Sequence, residues 1–316
     1  MRLRTAVNQY ISYRKALGEH FSTDGETLNT FVRIIGEDTN LADVKTESVS
    51  KYLRGTTPAI TINWHRKYYA LHGFYKYALS RGYAQASPLP LTIPKPPPPF
   101  VPYIYNTEEL RALFNACFSY QKNRGMLDPY VARTFILLLY GTGLRLTEAL
   151  SLTVADVDLS QALLVIRNTK FHKTRLVPIG KQLTKILLDY ATWRKQKRYA
   201  VNHDAPFFVG RNGKAINGYN VQDAFELIRK KAGILRTDTN QQPRLHDLRH
   251  TFAVHRLTAW YKQGADVQSL LPVLSVYMGH VRISSTSTYL TMTPTLLEEA
   301  GRRFEQYAFK KEESHD

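Results

Sequence analysis

The run Gly141-Thr142-Gly143-Leu144-Arg145-Leu146-Thr147-Glu148-Ala149-Leu150 joins two apolar segments through a glycine turn. Upstream of it, Asp128-Pro129 is a helix start signal, a capping carboxylate followed by proline in the first turn, ahead of the apolar run 135–140. Gly141-Thr142-Gly143 ends that helix. Arg145 then stands just past the turn and beside an apolar helix, a poor place for simple solvation. Further upstream, Thr107-Glu108-Glu109-Leu110 reads as a hydroxyl cap followed by acids that suit a helix N-terminus. Downstream, two β-rich runs at 163–166 and 175–179 flank a polar turn at 168–174. Helical patterns resume near 181–199, 219–232, 246–262 and 266–278. The expectation is a mainly α domain with a small antiparallel β-sheet, spanning 105–316.

Before that domain, prolines crowd the stretch from Pro88 to Pro102, with Pro96-Pro97-Pro98-Pro99 at its centre. Proline fixes φ and has no amide hydrogen, so residues 88–104 read as an extended, fairly stiff connector. Residues 1–87 carry four helical stripes. Val7, Tyr10, Ile11 and Leu17 stop at Gly18; Leu28, Phe31, Val32 and Ile35 stop at Gly36; Val49, Tyr52 and Leu53 precede Gly55. The fourth covers about 60–80, with Tyr68, Leu71, Tyr75, Ala78 and Leu79 at core spacing. Four helices in so short a segment predict a compact bundle. Arg66, Lys67, Lys76 and Arg81 on the last helix either face phosphates or form an ordinary solvated face, and both readings stay open.

Lys and Arg total 43 against 26 acidic residues, a formal charge of +17. Such an excess repels itself in the folded state and is usually matched by a polyanion, nucleic acid first and anionic lipid second. No run of about 18 apolar residues exists, so no membrane span is expected. Met1-Arg2-Leu3-Arg4 is basic with no apolar stretch behind it, so no signal peptide is expected either. Cys117, the one cysteine, cannot form an internal disulfide and reads as a buried, inert thiol in a reducing, cytoplasmic compartment.

Four segments hold polar groups at abrupt places. They are Arg145 after its glycine turn, the Lys170/Lys173 turn, His246-Asp247-Leu248-Arg249-His250, and Gly279-His280 followed nine residues later by Tyr289. His246 and Arg249, three apart, share a helical face. In this order the set resembles the tyrosine recombinases, the phage-integrase family. That family's pattern is an arginine at a G-L-R-x-x-E-L-like helix start, a hairpin lysine, H-x-x-R, a histidine after glycine, and a tyrosine. The likeness covers about 105–300; the N-terminal bundle matches only in architecture, like the family's SAM-like core-binding domain. The stretch 269–278 is longer than in the plainest members and resembles variants carried by mobile elements.

The resemblance implies a site-specific DNA recombinase that breaks and rejoins strands through a 3′-phosphotyrosine at Tyr289. Arg145 and Arg249, always charged and planar, suit the non-bridging oxygens of a five-coordinate phosphorus. A phenol with a pKa near 10 needs its proton removed, or charge nearby, to attack. The resemblance makes Lys170 the acid for the departing 5′-oxygen, His246 the proton acceptor, and His280 a phosphate hydrogen-bonder. It further implies double-stranded DNA as partner, a homotetramer on two duplexes, and no cofactor.

Competing readings stand beside these. Lys173 competes with Lys170. Arg145 could be structural, paired with Glu148, which itself reads as support. His250, one turn from His246, reads as a core-packing histidine. His246 and His250 could bind zinc at i, i+4, but no HExxH or paired cysteine accompanies them and Arg249 repels a cation, so no metal is expected. The stripe Leu296, Leu297, Ala300, Phe304 and Tyr307 could form a tail helix that docks on a neighbour or on its own domain. Supercoil relaxation of the type IB topoisomerase kind, and a non-catalytic DNA-binding regulator, remain the alternative functions.

Overall fold

A computed structural model describes the chain except residues 58, 99, 121–126, 168–173, 239–240, 281, 292–297, 300, 303–304 and 306–316. The chain divides into two compact units, Met1–Phe100 and Val101–Asp316. The first holds helices α1 (Leu3–Ala16), α2 (Ser22–Ile35), α3 (Thr46–Arg54) and α4 (Ile62–Ser80). Their apolar stripes meet in one core that includes Val7, Leu28, Phe31, Leu53, Leu71 and Phe74. Leu17 and Leu79 do not join it and are exposed at 59% and 39%. Leu17 caps α1 beyond its last turn, and Leu79 sits one residue off the stripe that Leu71, Phe74, Tyr75 and Ala78 occupy. Leu89, inside the proline-rich stretch, packs on this same core.

Lys67 is turned inward. Its Nζ donates to the Tyr52 carbonyl at 2.8 Å and lies 4.5 Å above the Tyr52 ring. A cation at the C-terminal turn of α3 complements the helix dipole, and burial pulls the Lys67 amine below its ordinary pKa. Lys67 is therefore a structural cation of the bundle.

The second unit opens with α5 (Thr107–Ala116). Its cap is Asn106, one residue before the expected Thr107. The Asn106 side chain accepts from the Glu109 amide at 2.8 Å, and Glu109 accepts from the Asn106 amide at 2.9 Å. That reciprocal box satisfies two end donors where a hydroxyl would satisfy one. α6 (Pro129–Thr142) starts at the Asp128-Pro129 signal, the Asp128 carboxylate accepting from the Tyr130 amide. Val131, Phe135, Ile136, Leu138 and Leu139 bury it on most sides, and it packs against the later helices α8 (Lys181–Gln196) and α10 (Asp247–Lys262).

Between α6 and α8 come the short α7 (Leu146–Leu150) and an antiparallel sheet of β1 (Val157–Asp158), β2 (Leu163–Ile166) and β3 (Arg175–Pro178), in that order. Leu164 stands opposite Val177 and Ile166 opposite Arg175, with Leu164, Ile166 and Val177 buried in the core. β1 was not expected, because two residues carry no alternation to read. α9 (Gly218–Lys231), α11 (Val267–Met278) and α12 (Ser284–Ser287) complete the unit, followed by a 3-10 turn, Thr288–Thr291. The architecture is mainly helical with one small antiparallel sheet.

The Cys117 thiol is fully buried, donates to the Leu113 carbonyl at 3.3 Å, and is pushed up to about 12 by burial. It is the inert thiol that its apolar setting suggested. The turn bearing Lys170 and Lys173, and the apolar positions of the tail, lie outside the described residues.

Candidate active site

His246 and Arg249 open α10, and both arginines of the expected set converge where α6, α7 and α11 end or begin. Gly143 closes α6 with φ +62°, a left-handed cap that glycine adopts without strain. A Cβ there would lie 2.5 Å from Phe252 Cδ1, so the close approach also demands glycine. The turn exposes the Gly143 carbonyl to Arg249 Nη1, and Arg249 Nη2 donates to the Met278 carbonyl at 2.8 Å. Arg249 thus ties the end of α6 to the end of α11, and only 4% of it is exposed. Burial, then the Arg145 charge, lowers its pKa to about 10, leaving it charged at neutral pH.

Arg145, at the start of α7, donates from Nη1 to Glu148 Oε1 at 2.7 Å and from Nη2 to the Gly279 carbonyl at 2.7 Å. Glu148 also accepts the Arg145 backbone amide at 3.0 Å. A third guanidinium shares this carboxylate: Arg175 of β3 reaches Oε1 at 3.0 Å and Oε2 at 2.8 Å, while its Nε donates to the Tyr277 carbonyl at 3.0 Å. Burial alone would raise the Glu148 pKa. The hydrogen bonds from Arg175 and from the Arg145 amide, with both positive charges, hold it down at about 2.

The last carbonyls of α11 therefore accept in sequence: Tyr277 from Arg175, Met278 from Arg249, Gly279 from Arg145. A helix C-terminus leaves its final carbonyls without intrahelical donors and carries partial negative charge. Here that end gathers three guanidiniums that would otherwise repel. Within this set three positive charges face one carboxylate, so two remain uncompensated and the site suits an anion.

Tyr289 sits in the 3-10 turn after α12, its ring docked in the apolar cluster of Phe252, Leu257, Leu271, Leu274 and Met278 and 3% exposed. His280 stacks on it at 6.1 Å between ring centroids, and His250 lies 5.6 Å away, tilted at 60°. Burial raises the phenol's pKa, opposed by the charges of Arg249 and Arg145 and by a hydrogen bond with Arg249. Tyr289, Arg145 and Arg249 of one chain thus share one site.

The histidines are kept neutral. His280 shares a 2.7 Å hydrogen bond between Nδ1 and Thr286 Oγ1, and burial with the Arg249 and Arg145 charges lowers its pKa to about 4. His250 falls to about 4 through burial and its neighbour His246. His246 keeps an exposed edge, yet the protein packed around it, with Arg249 and Arg244, lowers its pKa as well.

Five of the six expected residues, Arg145, His246, Arg249, His280 and Tyr289, come together; Lys170 lies outside the described residues. Two neighbours of these were not read as part of the site. His250 packs, as expected, but against His246 (5.0 Å) and Tyr289, and its buried Nδ1 has no hydrogen-bond partner among the described residues. Arg175 alternates onto the same strand face as buried Val177, and an arginine at an inward strand position is a readable signal of a buried charge partner.

This geometry defines a cationic, tyrosine-bearing site on a helical scaffold, and known proteins share its sequence and fold. Residues 105–295 match the phage integrase family. The chain is 32% identical over 305 residues to the integrase/recombinase-type protein y4rB of Sinorhizobium fredii (strain NBRC 101917 / NGR234), covering 96% of this chain and 97% of that one. It is 29% identical over 302 residues to tyrosine recombinase XerC of Bacillus pumilus (strain SAFR-032), covering 90% of each. The fold is shared with the Tn1549 transposon integrase solved with transposon right end DNA, at a TM-score of 0.69 and 16% identity over 98% of this chain and all of that one. The chain belongs to the phage integrase family. It is a DNA-binding enzyme, a site-specific recombinase of the tyrosine class.

Proposed function

We propose that the chain breaks and rejoins duplex DNA by transesterification, with Tyr289 as the nucleophile. The Tyr289 hydroxyl attacks the scissile phosphorus, forming a phosphotyrosyl ester on the 3′ side while the bond to the 5′-oxygen breaks. Arg145 and Arg249 hold the two non-bridging oxygens as charge builds on them. The phenolic proton leaves toward His246. The ring contacts run from Tyr289 through His250 to His246, and neutral imidazoles are the form that accepts a proton. His280 donates to a phosphate oxygen, and Lys170 gives the departing 5′-oxygen its proton. Because the new ester keeps the energy of the old one, the 5′-hydroxyl of another strand reverses the step.

The observation that carries this reading is the docking of the Tyr289 ring against His250 and His280 and beside Arg249 of the same chain. Tyr289→Phe should still bind DNA yet form no covalent adduct on a denaturing gel. An adduct surviving that change would remove Tyr289 from the role. The +17 charge supports contact with the duplex by both units, the N-terminal bundle acting as a DNA-binding domain beside the catalytic one.

Exchange between two duplexes cuts four strands and needs four nucleophiles, which favours a homotetramer on DNA. Integration or transposition of a mobile element in the cytoplasm is the setting we favour, on the likeness to the Tn1549 integrase and the reduced state that a buried lone Cys117 tolerates.

A further inference from the structure

The geometry points to Arg175 as a positioning residue for the phosphate grip, acting through Glu148 on Arg145. This inference rests on the reading of Arg145 as a phosphate-binding residue. Arg175 is largely shielded, its side chain 10% exposed, and its three described hydrogen bonds go to Glu148 and Tyr277. Each of its three nitrogens donates to the protein. What it does is occupy both oxygens of the Glu148 carboxylate.

That occupation sets the electrostatics of Arg145. A buried carboxylate facing one guanidinium closes on it bidentately and cancels its charge. Glu148 instead divides its lone pairs between two guanidiniums, so Arg145 is held by one oxygen and keeps Nη2 on the Gly279 carbonyl. Arg175 also lies directly under Gly279. A Cβ there would meet its Nη1 at 2.7 Å and Cζ at 2.8 Å, and the residue is held at φ +69°. The guanidinium therefore props the turn whose carbonyl orients Arg145 and whose next residue is His280. Without Arg175, Glu148 loses its bidentate partner and turns wholly to Arg145, and the turn at Gly279 loses its floor.

The test uses the protein's own recombination site, read by sequencing the DNA end attached to the trapped protein. Single-turnover cleavage is measured on the normal scissile phosphate and on a methylphosphonate, whose methyl in place of one non-bridging oxygen removes the charge that Arg145 serves. Arg175→Ala should slow cleavage of the normal phosphate on the order of a hundredfold, as misplacement of a catalytic group does. Most of that loss should vanish on the methylphosphonate, as it should for Arg145→Ala. Arg175→Lys keeps the charge but only one bond to Glu148, and should fall between wild type and Arg175→Ala. It carries the comparison if the alanine variant does not fold, with DNA affinity and unfolding midpoint as the controls.

An unchanged rate for a folded Arg175 variant overturns the proposal. So does rescue of Arg145→Ala without rescue of the Arg175 variants. If Arg145→Ala is not rescued either, the phosphate role of Arg145 fails first, and this inference falls with it.

Discussion

Replacing Glu148 by glutamine removes the one negative charge shared by Arg145 and Arg175 while keeping the side chain's size. Glu148 is 7% exposed and holds a pKa of about 2 in the fold. Against an ordinary glutamate near 4.3, that depression is worth about 3 kcal/mol of stability in the ionised state. Deleting one partner of a buried ion pair typically costs about 3–5 kcal/mol, so two independent routes agree. The melting temperature of a unit this large should drop by about 6–12 °C at neutral pH.

The sign follows from the direction of the shift. A carboxylate whose folded pKa is depressed contributes fully above the unfolded value, near 4.3, and loses that contribution as pH falls toward 2. The gap between wild type and Glu148→Gln should therefore stay full from pH 7 to about 5 and shrink to about half by pH 3. Of the three tryptophans, Trp64 lies in the N-terminal unit while Trp193 and Trp260 lie in the second. Urea unfolding followed by fluorescence in a Trp64→Phe background reports the second unit alone. A gap under about 1 kcal/mol at pH 7, or one that does not narrow by pH 3, would refute the shared-carboxylate argument.

Two further outcomes follow from the same geometry. Gly143→Ala forces a left-handed alanine, costing about 1–2 kcal/mol, and drives its methyl into Phe252 for about 1–3 more; unfolding within 1 kcal/mol of wild type would mean the turn is not built as described. In DNA-free protein, His250 and His280 should titrate near pH 4 by NMR of their ring protons. Since the unfolded chain protonates near 6.5, the stability that neutral histidines contribute is full above that value and fades as pH falls toward 4. Midpoints near 6.5 for both rings would show that burial does not govern them.

The helices were legible because their stripes keep a 3.6-residue period and end at glycines, as α2 does at Gly36 and α6 at Gly143. The limits of that reading are equally local. Leu17 and Leu79 match the apolar period but sit where the helix ends or its stripe has turned away. β1 is too short to alternate, and Asn106 outcompetes Thr107 as cap because Glu109 completes a reciprocal bond. The order of Arg145, His246, Arg249, His280 and Tyr289 was legible as a pattern, but their partners were not. Arg145 reaches a carbonyl 134 positions away and Arg175 one 102 positions away, pairings that no local period encodes. Glu148 was readable as the support of Arg145; its division with Arg175 was not.

Gathering three guanidiniums within one shell is costly, and the fold offsets that cost without cancelling the positive charge of the site. A second buried carboxylate would halve the uncompensated charge, from two to one. The fold instead uses one carboxylate and the terminal carbonyls of α11, whose partial charges satisfy the donors without cancelling the net field. The neutral histidines add hydrogen-bonding capacity while leaving that balance untouched. Two uncompensated positive charges then remain beside a phenol that burial keeps protonated, so on the proposed reading charge and nucleophile are both in place before DNA arrives. On that reading a phosphodiester supplies the missing anion, and the negative charge that grows on it in the transition state meets donors whose orientation has already been fixed by backbone.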